Sequence, residues 1–136
     1  MDPISGSKIA GEAVSLTIKL LHNMYVYYNA IRNAPARSAE LRRELNMLLG
    51  LLVCLQETSS ARKPKNCRVF IPSELLEEMY RLLNDLYARV APKQTEGLAK
   101  LAWPLKQKDN FEYIQKIERY KTGLMIALSN SQRFTN

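Results

Sequence analysis

The stretch IPSELLEEMYRLLNDLYARVAP, residues 71–92, carries the clearest helical pattern of the chain and decides the fold class. Apolar residues recur along it in steps of three and four, which predicts an amphipathic helix with one side against a core. Pro72 suits the first turn, Glu74 complements the helix dipole, and Ala91-Pro92 ends the helix. The predicted inner side consists of Leu75, Met79, Leu82, Leu86 and Val90, flanked by Leu76, Leu83 and Tyr87.

Charged pairs decorate the outer side of this predicted helix. Glu77 precedes Arg81 and Asp85 precedes Arg89 by four residues each, the order that favours an ion pair along a helix. Adjacent carboxylates such as Glu77 and Glu78 diverge by about 100° around a helix and do not converge on one substrate. A solvated helix face is therefore predicted here rather than a catalytic pair.

Upstream of this helix, the chain opens with a segment that is apolar on more than one side. Asp2 and Pro3 indicate its start, and the polar residues fall on one narrow line. So wide an apolar arc is typical of a helix that is central in its bundle, covers a partner or enters a bilayer. The first apolar row is Ile9, Ala13, Leu16, Leu20, Met24, Tyr27 and Ile31, the second is Ala10, Val14, Leu21, Tyr25 and Tyr28, and the polar line is Lys8, Glu12, Ser15, Lys19, His22 and Asn29.

Two further helices complete the pattern. After a break at Asn33-Ala34-Pro35, a leucine stripe predicts a second helix whose wet side is Glu40, Arg42, Arg43 and Glu44, and whose inner side is Leu41, Leu45, Leu48, Leu49, Leu52 and Leu55. Residues 57–71 are polar and basic and predict a loop. Residues 93–107 predict a short helix, and Asp109 with Glu112 resembles a capping box for a last long helix that would end at Ser129-Asn130.

The expected fold is therefore all-α: a bundle of four main helices with a short extra helix before the last one, in a single domain over residues 1–136. No stretch of useful length alternates between apolar and polar residues in the way that predicts a strand. The two cysteines, Cys54 and Cys67, lie at neither metal nor redox spacing and predict reduced thiols in a cytoplasmic protein.

The sequence offers little to an active site. His22 is the single histidine, and no phosphate-binding glycine loop, nucleophile elbow or metal-ligand spacing occurs. We therefore expect no catalytic residue, no cofactor, no metal and no enzymatic activity.

Basic charge is uneven along the chain. Residues 32–71 hold eight bases and three acids, and residues 93–136 hold eight bases and four acids, within a net charge of +7. We predict contact with anionic lipid at a basic loop consisting of Arg62, Lys63, Lys65 and Arg68, although such loops also serve only solubility. Nucleic acid is not expected, because the tyrosines lie along helices rather than among the basic residues.

A row of small residues lies on the first helix, at Ser7, Gly11 and Ser15. Small side chains four residues apart let another helix approach closely, either across to a partner or inside the bundle. Both alternatives remain open at this point.

Several stretches resemble the HeLo-like N-terminal domains of fungal NLR-type, ankyrin-repeat and related signalling proteins. The matching residues are Met1-Asp2-Pro3-Ile4-Ser5, Gly50-Leu51-Leu52 with Leu55-Gln56, Leu101-Ala102-Trp103-Pro104-Leu105-Lys106, Ile117-Glu118-Arg119-Tyr120-Lys121, Leu124, Ala127-Leu128 and Asn130. The resemblance implies the N-terminal domain of a larger cytoplasmic receptor, which clusters on activation and then signals or executes regulated cell death at the plasma membrane. It also implies homo-oligomers or related helical domains as partners.

The resemblance makes the first helix the effector segment. Its predicted membrane or partner contacts are Ile4, Ile9, Leu16, Leu20 and Met24. Lys8, Glu12, Lys19 and His22 interrupt the segment, and a charge at mid-bilayer costs roughly 2.5 to 3.5 kcal/mol. The sequence therefore favours an interfacial helix, or helices sharing a wet lumen, over a simple spanning helix. The alternative is an adaptor whose same helix face binds another domain without a membrane step.

Overall fold

The structure, a computed structural model, describes the backbone of residues 3–30, 36–58, 72–90 and 104–135, and the side chains of residues 8–26, 38–57, 72–90 and 104–130. Four helices account for nearly all of this: α1 (Pro3–Ala30), α2 (Ala36–Thr58), α3 (Ser73–Val90) and α4 (Gln107–Thr135). No strand occurs in those ranges. The prediction of an all-α bundle of four helices is confirmed.

The four helices enclose one shared core. α1 packs against α2 and α3, and α2 also packs against α4, while α3 and α4 touch far less. The inner residues are mainly leucines, which lose little rotamer freedom in a helix and bury a large apolar surface. The largest fully buried side chains are Leu20, Leu41, Leu45, Leu48, Leu52, Met79, Leu83, Leu86, Ile117 and Leu124.

One buried polar group in this core is satisfied within its own helix. Thr17 lies fully buried on α1, and its hydroxyl donates to the Ala13 carbonyl at 2.7 Å, one turn earlier in the same helix. A hydroxyl that bonds to its own helix can enter an apolar interior because no donor is left without a partner.

The ends of the helices differ in part from the prediction. α3 begins directly after Pro72, whose carbonyl accepts from the Leu75 amide at 3.1 Å. α2 reaches Thr58, so the predicted loop starts two residues too early. The predicted break at 33–35, most of the loop at 57–71 and most of the short helix at 93–107 lie outside the described residues, and residues 104–106 just before α4 are not helical.

Both predicted ends of α4 are wrong. The helix already begins at Gln107, where the Asn110 amide donates to the Lys106 carbonyl at 2.9 Å. Asp109 therefore lies within the first turn instead of capping it, although its charge still complements the helix dipole there. The helix continues past Ser129-Asn130 to Thr135, because serine and asparagine disfavour a helix interior by only a few tenths of a kcal/mol.

Glu44 corrects the prediction for α2. The sequence pattern places this residue on the solvent-exposed side of α2, but it is buried. Lys121 Nζ of α4 lies 2.6 Å from Glu44 Oε2. The side chains of Glu44 and Lys121 retain only 11% and 13% exposure. The same ammonium lies 3.4 Å from Met47 Sδ, so one lysine ties α4 to two residues of α2.

Candidate functional site

The inner face of α1 holds most of the residues predicted to contact a membrane or partner. Leu16, Leu20 and Met24 are buried in the shared core, and Ile9 is half-buried against it. The side chain of Ile4 lies outside the described residues. In the closed bundle these residues contact the protein's own interior, so their use on a membrane or partner requires α1 to leave its neighbours and stays a prediction.

The outer face of α1 carries a second apolar feature, the outer stripe, made of Val14, Ile18, Leu21 and Tyr25. Steps of four, three and four place these residues on one side of the helix. Ile18 and Tyr25 keep 53% and 56% of their surface exposed, while Val14 and Leu21 are half-buried at the rim of the core. α1 therefore offers an apolar surface to solvent as well as to the core.

Ile18 is the residue of this stripe that the sequence reasoning missed. The second apolar row already contained Val14, Leu21 and Tyr25, and Ile18 follows Val14 by one helical turn. Extending that row by the i,i+4 rule would have found it.

Polar residues run beside the outer stripe along α1. Lys8, Glu12, Ser15, Lys19 and His22 are all exposed, as the narrow polar line predicts. α1 is thus amphipathic in three strips: one apolar and buried, one polar, and one apolar and exposed.

The row of small residues separates into different surroundings. A Cβ added at Gly11 would lie 3.3 Å from Gln56 Nε2, so α2 comes close to α1 at this point. Ser15 faces solvent, and the Ser7 side chain lies outside the described residues. At Gly11 the close approach is therefore to the side chain of Gln56 within the bundle, while the role of the row in binding a partner stays a prediction.

A polar network joins the C-terminal end of α3 to the N-terminal end of α4. Arg89 Nη2 donates to Asp109 Oδ2 at 2.9 Å and Arg89 Nη1 donates to the Tyr113 hydroxyl oxygen at 3.1 Å. The Tyr113 hydroxyl donates in turn to Asp85, and the Arg89 guanidinium lies 5.6 Å from the centre of the Tyr113 ring. Arg89 thus forms its salt bridge across helices with Asp109, not along α3 with Asp85 as predicted.

Two members of this network, Tyr113 and Arg89, have raised pKa values. Burial raises the pKa of Tyr113, and its hydrogen bond to Asp85 acts in the same direction, while Arg89 opposes both. Hydrogen bonds to Tyr113 and then to Asp109 raise the pKa of Arg89, so the guanidinium stays charged throughout the accessible range. The network therefore consists of a fixed cation, a neutral phenol and two carboxyl groups at neutral pH.

A cleft of about 400 Å³ lies between α3 and α4 next to this network. Leu82, Tyr113 and Tyr120 are its largely buried members, and burial raises the pKa of Tyr120. Charges of both signs complete the lining, at Glu78, Arg81, Asp85, Arg89, Glu112, Lys116 and Arg119. The mixed charge gives the cleft no strong preference for an ion of one sign.

Candidates for reaction chemistry are few where the structure describes the chain. His22 is exposed on the polar line of α1, and Cys54 is an exposed thiol on α2. Across the described ranges, no group of three or more histidine, cysteine, aspartate or glutamate residues is arranged to hold a metal ion.

The structure bears on two expectations about lipid, the basic loop and a membrane-crossing helix. Arg62, Lys63, Lys65 and Arg68 of the basic loop lie outside the described residues, as does Cys67. Within the described parts of α1 to α4, no helix combines the length and apolarity needed to cross a bilayer.

Comparison with known proteins supplies no relative. No family model matches the sequence, and no significant match occurs among curated proteins or solved structures.

Proposed function

We propose that this chain is a non-enzymatic signalling domain that assembles with like domains and, once activated, engages membrane through α1. The observation that carries the proposal is the outer stripe, an apolar surface on a helix that already fills the core with its opposite side. In this proposal a short helix within residues 93–107 precedes α4, and the domain is the N-terminal, cytoplasmic part of a fungal NLR-like receptor that acts in cell death.

A helix of an isolated bundle requires one apolar side. α1 uses that side against α2 and α3, and Val14 and Leu21 of the outer stripe still pack at the rim of the core. Ile18 and Tyr25 add exposed apolar surface that the closed fold does not use. Exposed apolar surface rimmed by polar residues is typical of sites that bind protein or membrane. α4 also exposes large apolar residues, at Phe111, Met125 and Ile126. The choice of α1 therefore rests on the outer stripe together with the sequence resemblance, which makes this helix the effector segment.

The membrane version of the proposal uses α1 as an interfacial helix. Ile18 would enter the boundary between headgroups and acyl chains, Tyr25 would lie at headgroup level, and Lys19 would meet anionic headgroups. The exposed charges on the polar line disfavour a lone spanning helix, because each would have to leave water. Binding along the surface needs no such transfer.

The second candidate is an adaptor, in which the outer stripe binds another helical domain and no lipid is involved. With Leu16, Leu20 and Met24 buried, the outer stripe is the apolar surface of α1 that is accessible without rearrangement, and an adaptor needs no more than that surface. Both candidates place the contact on the same helix, so one pair of variants tests them together.

The test compares Ile18→Asp with Ser15→Asp. Both substitutions add one negative charge at an exposed position of α1, but only the first lies in the outer stripe. Circular dichroism should show both variants folded, because neither position is in the core. Self-association is then measured by analytical ultracentrifugation, and lipid binding by flotation and leakage of phosphatidylcholine vesicles with and without phosphatidylserine.

In the membrane version, wild type and Ser15→Asp float with the anionic vesicles and permeabilise them, and Ile18→Asp does neither. In the adaptor version, no variant binds vesicles, and Ile18→Asp alone loses association with helical domains. If Ile18→Asp behaves as wild type in every assay, the outer stripe has no role and the proposal is wrong.

A further inference from the structure

The contact between α3 and α4, here the α3–α4 seam, differs in kind from the other contacts of the bundle. α1 packs closely on α2 and α3, and α2 on α4, through the leucine-rich core. Along the seam the two helices touch lightly, and the cleft separates them over much of their shared length. The seam is therefore the most sparsely packed contact between neighbouring helices of the bundle.

One end of the seam is held by polar contacts, which form a latch made of Asp85, Arg89, Asp109 and Tyr113. The side chains of Arg89 and Asp109 remain 42% and 30% exposed. Water screens an ion pair at such exposure, so the pair stabilises the closed state only weakly. The Tyr113 hydroxyl, bonded to both Asp85 and Arg89, is the more enclosed member of the latch.

The other end of the seam is closed by direct packing. A Cβ added at Gly123 of α4 would lie 3.0 Å from Leu75 Cδ2 of α3, so the α4 backbone lies close to this leucine at position 123. The helices are antiparallel, since Arg89 meets Asp109 at one end and Leu75 meets Gly123 at the other. A tight apolar contact at one end and a solvated latch at the other suit a pivot and a releasable end, respectively.

We infer that the bundle opens at the α3–α4 seam by release of the latch, pivoting near Leu75 and Gly123, while α1 stays packed on α2. Such opening uncovers the inner faces of α3 and α4, including Leu83, Leu86 and Ile117. The inference rests on the proposed function in one respect only: in that function, opening of the seam is the step that regulates access to the buried face of α1.

Pulsed electron–electron double resonance, which measures the distance between two nitroxide labels, detects this opening directly. One pair of labels, at Ala88 and Lys108, spans the latch end of the seam, and a second pair, at Lys19 and Asn46, spans α1 and α2. All four positions are exposed, so labelling leaves the core intact. The full chain is used, with both native cysteines changed to serine.

The latch is weakened by Tyr113→Phe, which keeps the ring and removes the hydroxyl, and separately by Arg89→Gln. Arg81→Gln is the matched control, because it makes the same change on the same helix, in the cleft but outside the latch. Cooperative thermal unfolding by circular dichroism shows that each variant is folded.

We expect both latch variants to shift part of the Ala88–Lys108 distance distribution to longer distances, and the Lys19–Asn46 distribution to keep its wild-type width. The Arg81→Gln variant should match wild type at both pairs. An unchanged Ala88–Lys108 distribution in both latch variants, or equal broadening at Lys19–Asn46, would overturn the inference. Since no vesicle or assembly assay enters this test, its failure is separate from failure of the proposed function.

Discussion

Replacement of Lys121 by methionine tests how the ion pair between α2 and α4 contributes to stability. Lys121 Nζ lies 2.6 Å from Glu44 Oε2, and little more than a tenth of either side chain is exposed. The substitution keeps a long aliphatic side chain and removes the ammonium. Glu44 is then left as a nearly buried carboxylate without its cation.

The expected loss follows from this burial. Removing one partner of a fully buried pair costs about 3 to 5 kcal/mol, whereas an exposed pair is worth about 0 to 1 kcal/mol. With both side chains nearly buried, we expect Lys121→Met to cost about 2 to 4 kcal/mol. That is a large part of the about 5 to 15 kcal/mol that stabilises a typical domain.

The double variant Glu44→Leu/Lys121→Met separates the cost of the orphaned charge from the worth of the pair. Apolar replacement of both partners removes the orphaned carboxylate, so its stability should return to within about 1 kcal/mol of wild type. Lys116→Met is the control: it changes an exposed lysine of the same helix and should stay within about 0.5 kcal/mol.

Urea unfolding followed by helical circular dichroism supplies the free energies for this double-mutant cycle. The reasoning is refuted if Lys121→Met costs less than about 1 kcal/mol, which would indicate a solvated pair. It is also refuted if the double variant loses as much stability as Lys121→Met and Glu44→Leu lose together when each is measured alone. The two side chains would then act independently.

Two further predictions concern glycine and tyrosine positions. Gly50→Ala should raise the free energy of unfolding by about 0.5 to 1 kcal/mol, because the residue lies in the exposed interior of α2 with nothing within 4 Å of an added Cβ. Gly123→Ala should gain less or lose stability, because its Cβ would meet Leu75 Cδ2 at 3.0 Å; urea unfolding in which Gly123→Ala gains as much as Gly50→Ala would contradict the close approach. The raised pKa of Tyr113 means that the folded state holds this proton more tightly than the unfolded state, so its stabilising effect is full below about pH 10 and is lost as pH rises through the folded-state pKa. Tyr113→Phe should therefore flatten part of the decline in melting temperature above about pH 10, and an unaltered alkaline profile would show that Tyr113 does not contribute to it.

Local pattern was sufficient to predict the helices themselves. The inner stripe of α3 was predicted from spacing alone, and Met79, Leu82, Leu86 and Val90 are all buried. Leu75, placed in the same stripe, is only half-buried, whereas the flanking Leu83 is fully buried. Periodicity thus located the helix and its direction toward the core, but the exact line of closest contact depends on where the neighbouring helices pass.

Glu44 shows why a side chain's environment is harder to predict than its helix. Periodicity identified one leucine-rich side of α2, and Glu44 was assigned to the opposite, wet side. In the fold α2 packs between α1 and α4, which widens its covered arc until it includes Glu44. The cation that makes this burial tolerable is Lys121, far away in the chain, so no local pattern indicates the pair.

The candidate site on α1 was likewise predictable only in part. Its surplus of apolar surface is visible in the residue pattern, because two apolar rows and one narrow polar line follow directly from helical periodicity. Which row faces the core was not predictable from that pattern: Leu20 of the first row is buried and Tyr25 of the second row is exposed, although both are apolar residues of one helix.

By itself, the sequence determined that this protein is built of amphipathic helices around a leucine-rich core, since spacing along a chain dictates which residues share a helix face. Only the tertiary structure decided that α1 keeps an exposed outer stripe, that Lys121 neutralises Glu44, and that a polar latch closes a lightly packed seam between α3 and α4. These features depend on which helices become neighbours, and that choice is made by packing the whole set of faces at once.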